Sequence, residues 1–466
     1  MIRRVAPLLV ALAMCLSGCG SAGPATTPVG SFSTATVGTQ YIAALAQADW
    51  SAAEAMEQGQ MAAAAPAAKL ATIWQSFEAA YGAFVSIGPV SVESSPPYTI
   101  AVVTTMFASD VVGLRVTVTT SGQVAGMFVG SVSAPSGSAA GRSAPPGAAA
   151  GGSAAPASYV RPGSFTETDV TVGSAPWALP GTLSMPNGDG PFPAVVLVAG
   201  SGPEDRNETY GPNAPLRDIA WGLASAGIAV LRYDKRTLVY ASQMAAQEAS
   251  LTVREEVTDD AVAAIGLLRT TSRVDPAHIF LVGHSLGAYL APRIAAQAPG
   301  TLRGLALLEA PSTPLPALLL KQEQYLASLQ TPSPDASAQL ATLAEQVALA
   351  ESPSLTASTP ASSLPLGVPA SYWLDLRSYD PLSTAAALDL PMFFSQGGRD
   401  YQVPPSELGP WRSALAGRSN VTFTTYPNMD HLLLDGSGPA TPAEYGIPGH
   451  VAPELVSDLA AWIAAN

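Results

Sequence analysis

A serine stands in the pentapeptide Gly283-His284-Ser285-Leu286-Gly287, between an apolar run, Ile279–Val282, and a stretch of helical composition, Ala288–Ala298. A sharp turn from a strand into a helix exposes such a serine at the end of a sheet, next to the positive end of the helix dipole. Its hydroxyl becomes a good nucleophile when a neighbouring base removes its proton. The pattern therefore predicts that Ser285 is a nucleophile. The alternative is a chance Gly-x-Ser-x-Gly match in an alanine-rich chain.

This strand–turn–helix setting resembles the α/β-hydrolase family, in particular its bacterial serine esterases, over roughly residues 160–466. The resemblance implies an α/β fold with a doubly wound, mostly parallel sheet and a helical cap. It also implies a catalytic triad whose members follow one another along the chain as serine, acid and histidine.

The candidates for the general base are the histidines of the chain: His278, His284, His431 and His450. His278 precedes a predicted strand and suits a cap on a surface turn. His284 adjoins the nucleophile, so its side chain must point away, and we interpret it as a packing residue. His450 lies in a Gly/Pro-rich loop and stays a candidate. His431 follows the apolar run Val421–Thr425, where the resemblance places the general base, and it is our prediction.

An acid must orient the imidazole and stabilise its protonated form. The segment Gly397-Gly398-Arg399-Asp400-Tyr401-Gln402-Val403-Pro404 resembles the family's Gly-x-x-Asp-x-x-Val-Pro stretch after the penultimate strand. The resemblance implies that Asp400 is the acid. The competing carboxylates are Asp430, which adjoins the predicted base and should point elsewhere, and Asp435, which could form a surface pair.

Two backbone N–H groups are needed to stabilise the oxyanion of an acyl-transfer reaction. Leu286, directly after the nucleophile, would supply one. The loop Gly200–Arg206 resembles the family's His-Gly-Ser-Gly-Pro-x-Asp-Arg stretch, with Ala199 in place of the usual histidine, and implies a second donor at Ser201. The alternative is a Gly-Ser turn that merely reverses the chain. We expect Asp205 and Arg206 to pair within this loop, and Arg232–Arg236 to be scaffold.

Short apolar runs without polar alternation predict strands buried on both faces of a parallel sheet. These runs are Ala194–Ala199, Gly227–Arg232, Ile279–Val282, Leu302–Leu308, Met392–Ser395 and Val421–Thr425. Helical spacing over Leu216–Ser225 and Val253–Arg269 separates them. An antiparallel hairpin is predicted over Phe165–Met185. Together these patterns predict a doubly wound α/β domain over residues 158–466.

The regular alternation stops over about residues 311–374, where helices are predicted at Leu315–Leu329 and Leu340–Glu351. An insertion at this place resembles the family's cap. Its leucines either line an acyl pocket or pack the cap on the core; they are Leu318, Leu319, Leu320, Leu326 and Leu329.

A smaller α+β domain is predicted over residues 32–132. One helix is predicted over Tyr41–Met56, and a second carries apolar residues on one face from Leu70 to Tyr81. Three or four antiparallel strands follow. The domain resembles a small domain of unknown function that precedes hydrolase domains in some bacterial proteins. A linker of Ser, Ala, Gly and Pro, interrupted only by Arg142, occupies residues 133–157.

The first residues resemble the signal peptide of a bacterial lipoprotein. Arg3 and Arg4 precede an apolar stretch, Val5–Leu16, that is too short to cross a bilayer, and Leu16-Ser17-Gly18-Cys19 resembles a lipobox. The resemblance implies cleavage after residue 18, lipid on Cys19, a tether over residues 19–31 and an extracytoplasmic protein held on the bacterial cell membrane. The alternative is an ordinary secretory signal cut near Ala22.

The composition excludes some classes of protein. Apolar residues make up 48% of the 466 residues and charged residues 12%, which favours a folded chain over a disordered one. Asp and Glu (35) outnumber Lys and Arg (21), and the resulting net charge of −14 argues against nucleic-acid binding. We expect neither a metal nor an organic cofactor, because no group of His, Asp and Glu has the spacing of metal ligands.

These observations predict a serine carboxylesterase that acts on small or medium uncharged esters through an acyl-enzyme. Its partner would be a small-molecule ester substrate. The protein would contact the membrane only through the lipid on Cys19. Two alternatives stay open: a serine peptidase or amidase of the same fold, and a catalytically silent cell-surface binding protein.

Overall fold

The computed structural model describes residues 33–58, 61–62, 65–95, 98–108, 111–130, 156–247, 250–329 and 334–466. The predicted signal peptide, the tether, Cys19 and nearly all of the predicted linker lie outside these residues. The chain divides into two compact units between residues 146 and 147. Among the described residues, no helix combines the length and the apolar character needed to cross a bilayer.

The N-terminal unit carries its helices before its strands, as the α+β prediction requires. The elements are α1 (Thr34–Ala46), α2 (Trp50–Ala55), α3 (Ala67–Tyr81), β1 (Phe84–Ser95), β2 (Tyr98–Phe107), β3 (Val111–Val118) and β4 (Val124–Gly130). The strands form an antiparallel sheet in chain order. The single helix predicted over Tyr41–Met56 is wrong, because Ala48 adopts a positive φ of 57°. A new helix then starts at Asp49, whose side chain accepts the N–H of Ala52.

The C-terminal unit is built on one large sheet. Its strands are β5 (Phe165–Val172), β6 (Leu179–Pro186), β7 (Phe192–Val198), β8 (Ala229–Tyr233), β9 (Val274–His284), β10 (Gly304–Leu308), β11 (Met392–Gly397) and β12 (Val421–Tyr426). Their order across the sheet is β12-β11-β10-β9-β7-β8-β6-β5. The strands from β12 to β8 pair in parallel, while β6 pairs antiparallel with both β8 and β5. The predicted apolar runs and the predicted hairpin thus fall on strands of this sheet.

Helices cover both faces of the sheet. They are α4 (Pro215–Ser225), α5 (Arg236–Val239), α6 (Ala241–Ala246), α7 (Asp259–Thr270), α8 (Leu286–Gln297), α9 (Leu315–Ser328), α10 (Pro334–Glu351), α11 (Ala370–Arg377), α12 (Pro381–Ala386), α13 (Leu408–Ala414) and α14 (Pro453–Ala465). Along β7, Val196 and Val198 join the core under α7 and α8, while Val195 and Leu197 join the core under α4 and α14. Successive side chains of a strand point to opposite faces, so a strand without polar residues needs two covered faces. The predicted doubly wound fold is confirmed.

The insertion after β10 contains α9 and α10, followed by short 3₁₀ turns and α11. Leu318 is buried and Leu319 packs against the main core, whereas Leu329 is 43% exposed. The packing interpretation therefore holds for Leu318 and Leu319. Leu329, which is exposed at the end of α9, supports neither interpretation.

Candidate active site

Ser285 occupies the turn between β9 and α8, in a strained backbone conformation with φ of 53° and ψ of −115°. Its N–H donates to Leu308 O at 3.0 Å, which ties the turn to the neighbouring strand. A Cβ on Gly283 would lie 2.3 Å from Gly287 O, and a Cβ on Gly287 would lie 2.3 Å from Val198 O. Both glycines are thus required for the helix to start this close to the sheet, which is why the pentapeptide has this pattern.

The predicted base and the predicted acid are hydrogen-bonded to each other. His431 Nδ1 donates to Asp400 Oδ2 at 2.7 Å, and both side chains are buried. The second oxygen, Asp400 Oδ1, accepts the N–H groups of Gln402 and Val403 at 2.8 Å each. These bonds fix the carboxylate and leave Nε2 of the imidazole as the atom that can accept a proton.

The competing candidates are engaged elsewhere. Asp430 accepts the N–H of Leu434 within its own loop. His450 lies 2.8 Å from the carboxylate of Asp218, and His278 lies 2.8 Å from that of Asp275. None of these imidazoles or carboxylates takes part in the contact between Asp400 and His431.

Ser285 follows the carboxyl end of β9, at the same edge of the sheet as this pair. The link is His284, whose Nε2 donates to His431 O at 2.8 Å and whose ring centroid is 4.8 Å from that of His431. Among the described residues, no hydrogen bond joins the Ser285 hydroxyl to the His431 imidazole. Such bonds are often long in enzymes without substrate.

Sequence reasoning missed a second carboxyl group behind the acid. Glu309 directly follows β10, with φ of 49°, and is fully buried. Its Oε2 accepts the N–H of Gly397 at 2.8 Å and Nε2 of Gln396 at 3.0 Å. Burial, and then the neighbouring charge of Asp400, raise the pKa of Glu309 well above its ordinary value, which favours the neutral form of this carboxyl. Its position at the carboxyl end of a predicted parallel strand was the signal that could have revealed it.

His284 is buried, as the packing interpretation predicts, but it also has a charged partner. Its Nδ1 lies 2.9 Å from Glu208 Oε2, a close ion-pair contact that is not aligned as a hydrogen bond. Burial alone would lower the pKa of His284, but the Glu208 carboxylate outweighs burial and raises it. Burial alone would likewise raise the pKa of Glu208, but His284 and the N–H of Gly200 hold it below its usual value. The two therefore form a buried imidazolium–carboxylate pair beside the nucleophile.

The predicted oxyanion donors lie on both sides of Ser285. Leu286 is the first residue of α8, so its N–H has no acceptor within the helix. On the other side, a Cβ on Gly200 would lie 3.3 Å from Ser285 Cβ, which brings the Gly200–Ser201 peptide next to the nucleophile. The Gly200 N–H donates to Glu208 Oε1 at 2.7 Å.

The expected pairing of Asp205 with Arg206 is wrong. The Arg206 guanidinium instead forms a bidentate pair with Asp234, at 2.9 Å and 2.8 Å. Asp205 accepts the N–H groups of Asn207 and Thr209. Adjacent side chains in an extended loop point apart, so each finds a partner on another segment. The loop is still braced, but against the segment that follows β8.

Three features together define the α/β-hydrolase class. They are a mostly parallel sheet covered by helices on both faces, a serine at a strand–helix turn, and a histidine–aspartate pair at the same edge of the sheet. Residues 214–436 match the sequence family described as serine aminopeptidase, S33. Residues 39–127 match a family described as a protein of unknown function, DUF3887. No group of three His, Cys, Asp or Glu side chains that could hold a metal ion is found in the described ranges.

The chain is 35% identical over 394 residues to esterase EstD of Thermotoga maritima, which covers 84% of this chain and 86% of the relative. It therefore belongs to the same family of α/β-hydrolases and is a hydrolytic enzyme with an N-terminal domain of the DUF3887 type. Solved structures with some likeness include Est1E from Butyrivibrio proteoclasticus, at 15% identity, 64% of this chain, 99% of that chain and a TM-score of 0.41. Another is esterase Pf2001 from Pyrococcus furiosus, at 17% identity, 65% of this chain, 91% of that chain and a TM-score of 0.41.

Proposed function

We propose that the protein is a serine carboxylesterase that hydrolyses small or medium carboxylic esters with Ser285, His431 and Asp400 as its triad. The observation that carries this proposal is the buried 2.7 Å hydrogen bond between His431 and Asp400, at the same sheet edge as the strained Ser285 turn. The similarity to esterase EstD supports an ester rather than another acyl substrate.

The reaction follows from the roles of these groups. His431 Nε2 takes the hydroxyl proton of Ser285 as Oγ attacks the ester carbonyl carbon, and the carbonyl oxygen becomes an oxyanion bound by the N–H groups of Leu286 and Ser201. The C–O bond to the alcohol then breaks, and the imidazolium gives its proton to the leaving oxygen. Water, deprotonated by the same imidazole, attacks the acyl-enzyme, and the acid and free Ser285 are released.

Purified protein tested on p-nitrophenyl esters of graded chain length, beside Ser285→Ala, checks the proposal. We expect the variant to lose several orders of magnitude in kcat, with residual rate from the oxyanion donors and binding alone. A fluorophosphonate probe should label the wild type and not the variant. Wild-type turnover by Ser285→Ala would falsify the proposal.

A second candidate is cleavage of amide or peptide bonds, which the match to a family described as serine aminopeptidase favours. The same triad serves both reactions, so the pocket decides between them. Matched aryl ester and aryl amide substrates with the same acyl group separate the two. A higher kcat/KM for the amide would favour the peptidase.

We also propose that the mature protein is exported and held on the membrane by lipid on Cys19. The proposal rests on Arg3 and Arg4, the apolar stretch after them and the sequence Leu16-Ser17-Gly18-Cys19. Cells fed an alkyne fatty acid should label the wild type and leave Cys19→Ser unlabelled. An unlabelled wild type in the soluble fraction would contradict the proposal.

A further inference from the structure

A buried lysine contacts the loop beside the nucleophile. Lys235 follows the last residue of β8 by two positions, and its side chain is 4% exposed. Its Nζ donates to Gly200 O at 2.7 Å and to Glu256 Oε1 at 2.7 Å. An ammonium group in the interior is costly unless it is paired and hydrogen-bonded. The hydrolytic steps described above leave this group without a role.

Its contact sets the direction of a peptide group. The Gly200–Ser201 bond is trans, since the only cis bonds among the described residues precede Pro176 and Pro191. The C=O and N–H of a trans peptide point in opposite directions, so an ammonium that fixes Gly200 O turns the Ser201 N–H away from itself. The positive charge also draws electron density toward the carbonyl oxygen, which makes that N–H a stronger donor.

The same glycine is held at its other end. Glu208 accepts the Gly200 N–H at 2.7 Å, so a carboxylate and an ammonium bind the two polar groups of one residue. A loop fixed before substrate binds requires no reorganisation when the oxyanion forms.

Glu256 connects this anchorage to the segment after the cap. It lies in a π-helical turn, Arg254–Thr258, and its Oε2 accepts the hydroxyl of Tyr372 in α11 at 2.7 Å. π-helical turns frequently occur at functional sites, because the extra residue redirects a side chain. Tyr372, Glu256, Lys235 and Gly200 thus form one hydrogen-bonded chain that ends at the peptide beside Ser285.

We infer that Lys235 is a positioning residue for the oxyanion hole: its ammonium orients and polarises the Gly200–Ser201 peptide so that the Ser201 N–H stabilises the tetrahedral intermediate. This inference rests on the proposed ester hydrolysis.

The test compares Lys235→Met with Arg236→Met. Each variant removes a buried cation, and the two positions are adjacent in the chain. Arg236 pairs with Asp260, whereas Lys235 contacts Gly200. We expect Lys235→Met to lower kcat for an aryl ester about 100-fold with KM changed less than about threefold, which is the loss typical of one oxyanion donor. Arg236→Met should stay within about threefold of wild type in kcat once circular dichroism shows that it is folded.

A second readout isolates the oxyanion. A trifluoromethyl ketone forms a tetrahedral adduct on the serine, so its inhibition constant should rise in Lys235→Met in proportion to the fall in kcat/KM. If kcat falls while the inhibition constant stays at its wild-type value, the inference is overturned. It is also overturned if folded Lys235→Met keeps kcat within about threefold of wild type.

Lys235→Gln is the second variant if Lys235→Met does not fold. Its amide can still donate to Gly200 O but carries no charge, so we expect a loss of about 10-fold in kcat with a parallel rise in the inhibition constant. A wild-type kcat in this variant overturns the role of the charge. Ser285→Ala distinguishes failure of the proposed triad from failure of the role assigned to Lys235. If this variant retains activity, the proposed triad is wrong, whatever the lysine variants do.

Discussion

Glu309 and Asp400 place two buried carboxyl groups side by side, behind the imidazole that Asp400 orients. Burial raises the pKa of Glu309, and the charge of Asp400 raises it further. Two carboxylates that share a buried site cannot both ionise at ordinary cost. The raised pKa favours a proton on Glu309, which lets this carboxyl donate to Asp400 instead of repelling it.

Replacing Glu309 with glutamine should therefore keep the enzyme active. Glutamine matches the neutral acid in shape, can donate to Asp400 and can still accept the N–H of Gly397. We expect Glu309→Gln to retain kcat within about threefold, and Glu309→Ala to lose at least about 10-fold, because it leaves buried polar groups unpaired. Steady-state kinetics on one aryl ester measures both. Equal losses in the two variants would contradict the neutral state.

The same group makes stability depend on pH. A carboxyl whose folded-state pKa is raised contributes stability that is complete below the unfolded pKa, about 4.3, and is lost as the pH rises through the folded-state pKa. The wild type should therefore lose free energy of unfolding relative to Glu309→Gln when the pH is raised from about 4.3 to 9. Urea titrations at both pH values give the comparison, and a constant difference would argue against the raised pKa.

His431 and His450 make a matched pair for testing the base. Both imidazoles bind a carboxylate through Nδ1, at 2.7 Å and 2.8 Å, but only His431 contacts His284, the residue before Ser285. We expect His431→Gln to lower kcat by at least about a thousandfold and His450→Gln to change it less than about threefold. The same aryl ester assay serves for both. The reverse order of losses would make His450 the base.

The ion pair of Glu208 and His284 should give a stability contribution confined to a window of pH. Glu208 has a lowered pKa, so its contribution is present above the unfolded value, about 4.3, and is lost as the pH falls below it. His284 has a raised pKa, so its contribution is complete below the unfolded value, about 6.5, and is lost as the pH rises through the folded value. The Tm difference between wild type and Glu208→Gln should therefore be largest at about pH 5 to 6. A difference that does not vary with pH would show that the pair is not ionised.

Glu407 anchors the start of the cap. It accepts hydrogen bonds from the backbone and hydroxyl groups of Ser312 and Thr313, and Lys321 on α9 lies 3.1 Å away. Burial alone would raise its pKa, but the bonds from Thr313 and Ser312 outweigh burial and lower the pKa to about 2. Its contribution to stability is thus present above the unfolded value of about 4.3 and is lost as the pH falls toward about 2.

Glu407→Gln should lower the free energy of unfolding by about 1 to 3 kcal/mol at pH 7, with the difference shrinking as the pH approaches 2. Urea denaturation at a series of pH values provides the measurement. Glu345→Gln, on the exposed side of α10, is the control, and we expect it to match the wild type. A loss in the control as large as that in Glu407→Gln would rule out a specific anchor.

The sequence pattern predicts the strands of the sheet well because a strand buried on both faces is a run of apolar residues without polar alternation. The run Met392–Ser395 coincides with the first four residues of β11. The run Val421–Thr425 starts with β12 and ends one residue before this strand does. The bond between Asp400 and His431 could be anticipated because each follows a strand of the same sheet. The break in the helix predicted over Tyr41–Met56 could not, since it depends on the positive φ at Ala48.

The charged groups around the nucleophile were beyond sequence reasoning for a different reason. Glu208, Lys235 and Glu256 come from separate segments, and each looks like an ordinary surface charge in its own stretch of chain. Only the folded sheet brings them to Gly200. Burying such groups is favourable only through partners that lie far along the chain, so no local pattern reveals them.

Gly287 links the two halves of the oxyanion site, because the start of α8 rests on Val198 O with no room for a side chain. Any larger residue at this position would separate the nucleophile turn from the Gly200 loop and spoil both donors in one step. A mutant library intended to change which esters are accepted would therefore have to leave this position invariant. Diversity is better directed to the exposed positions of α9 and α10.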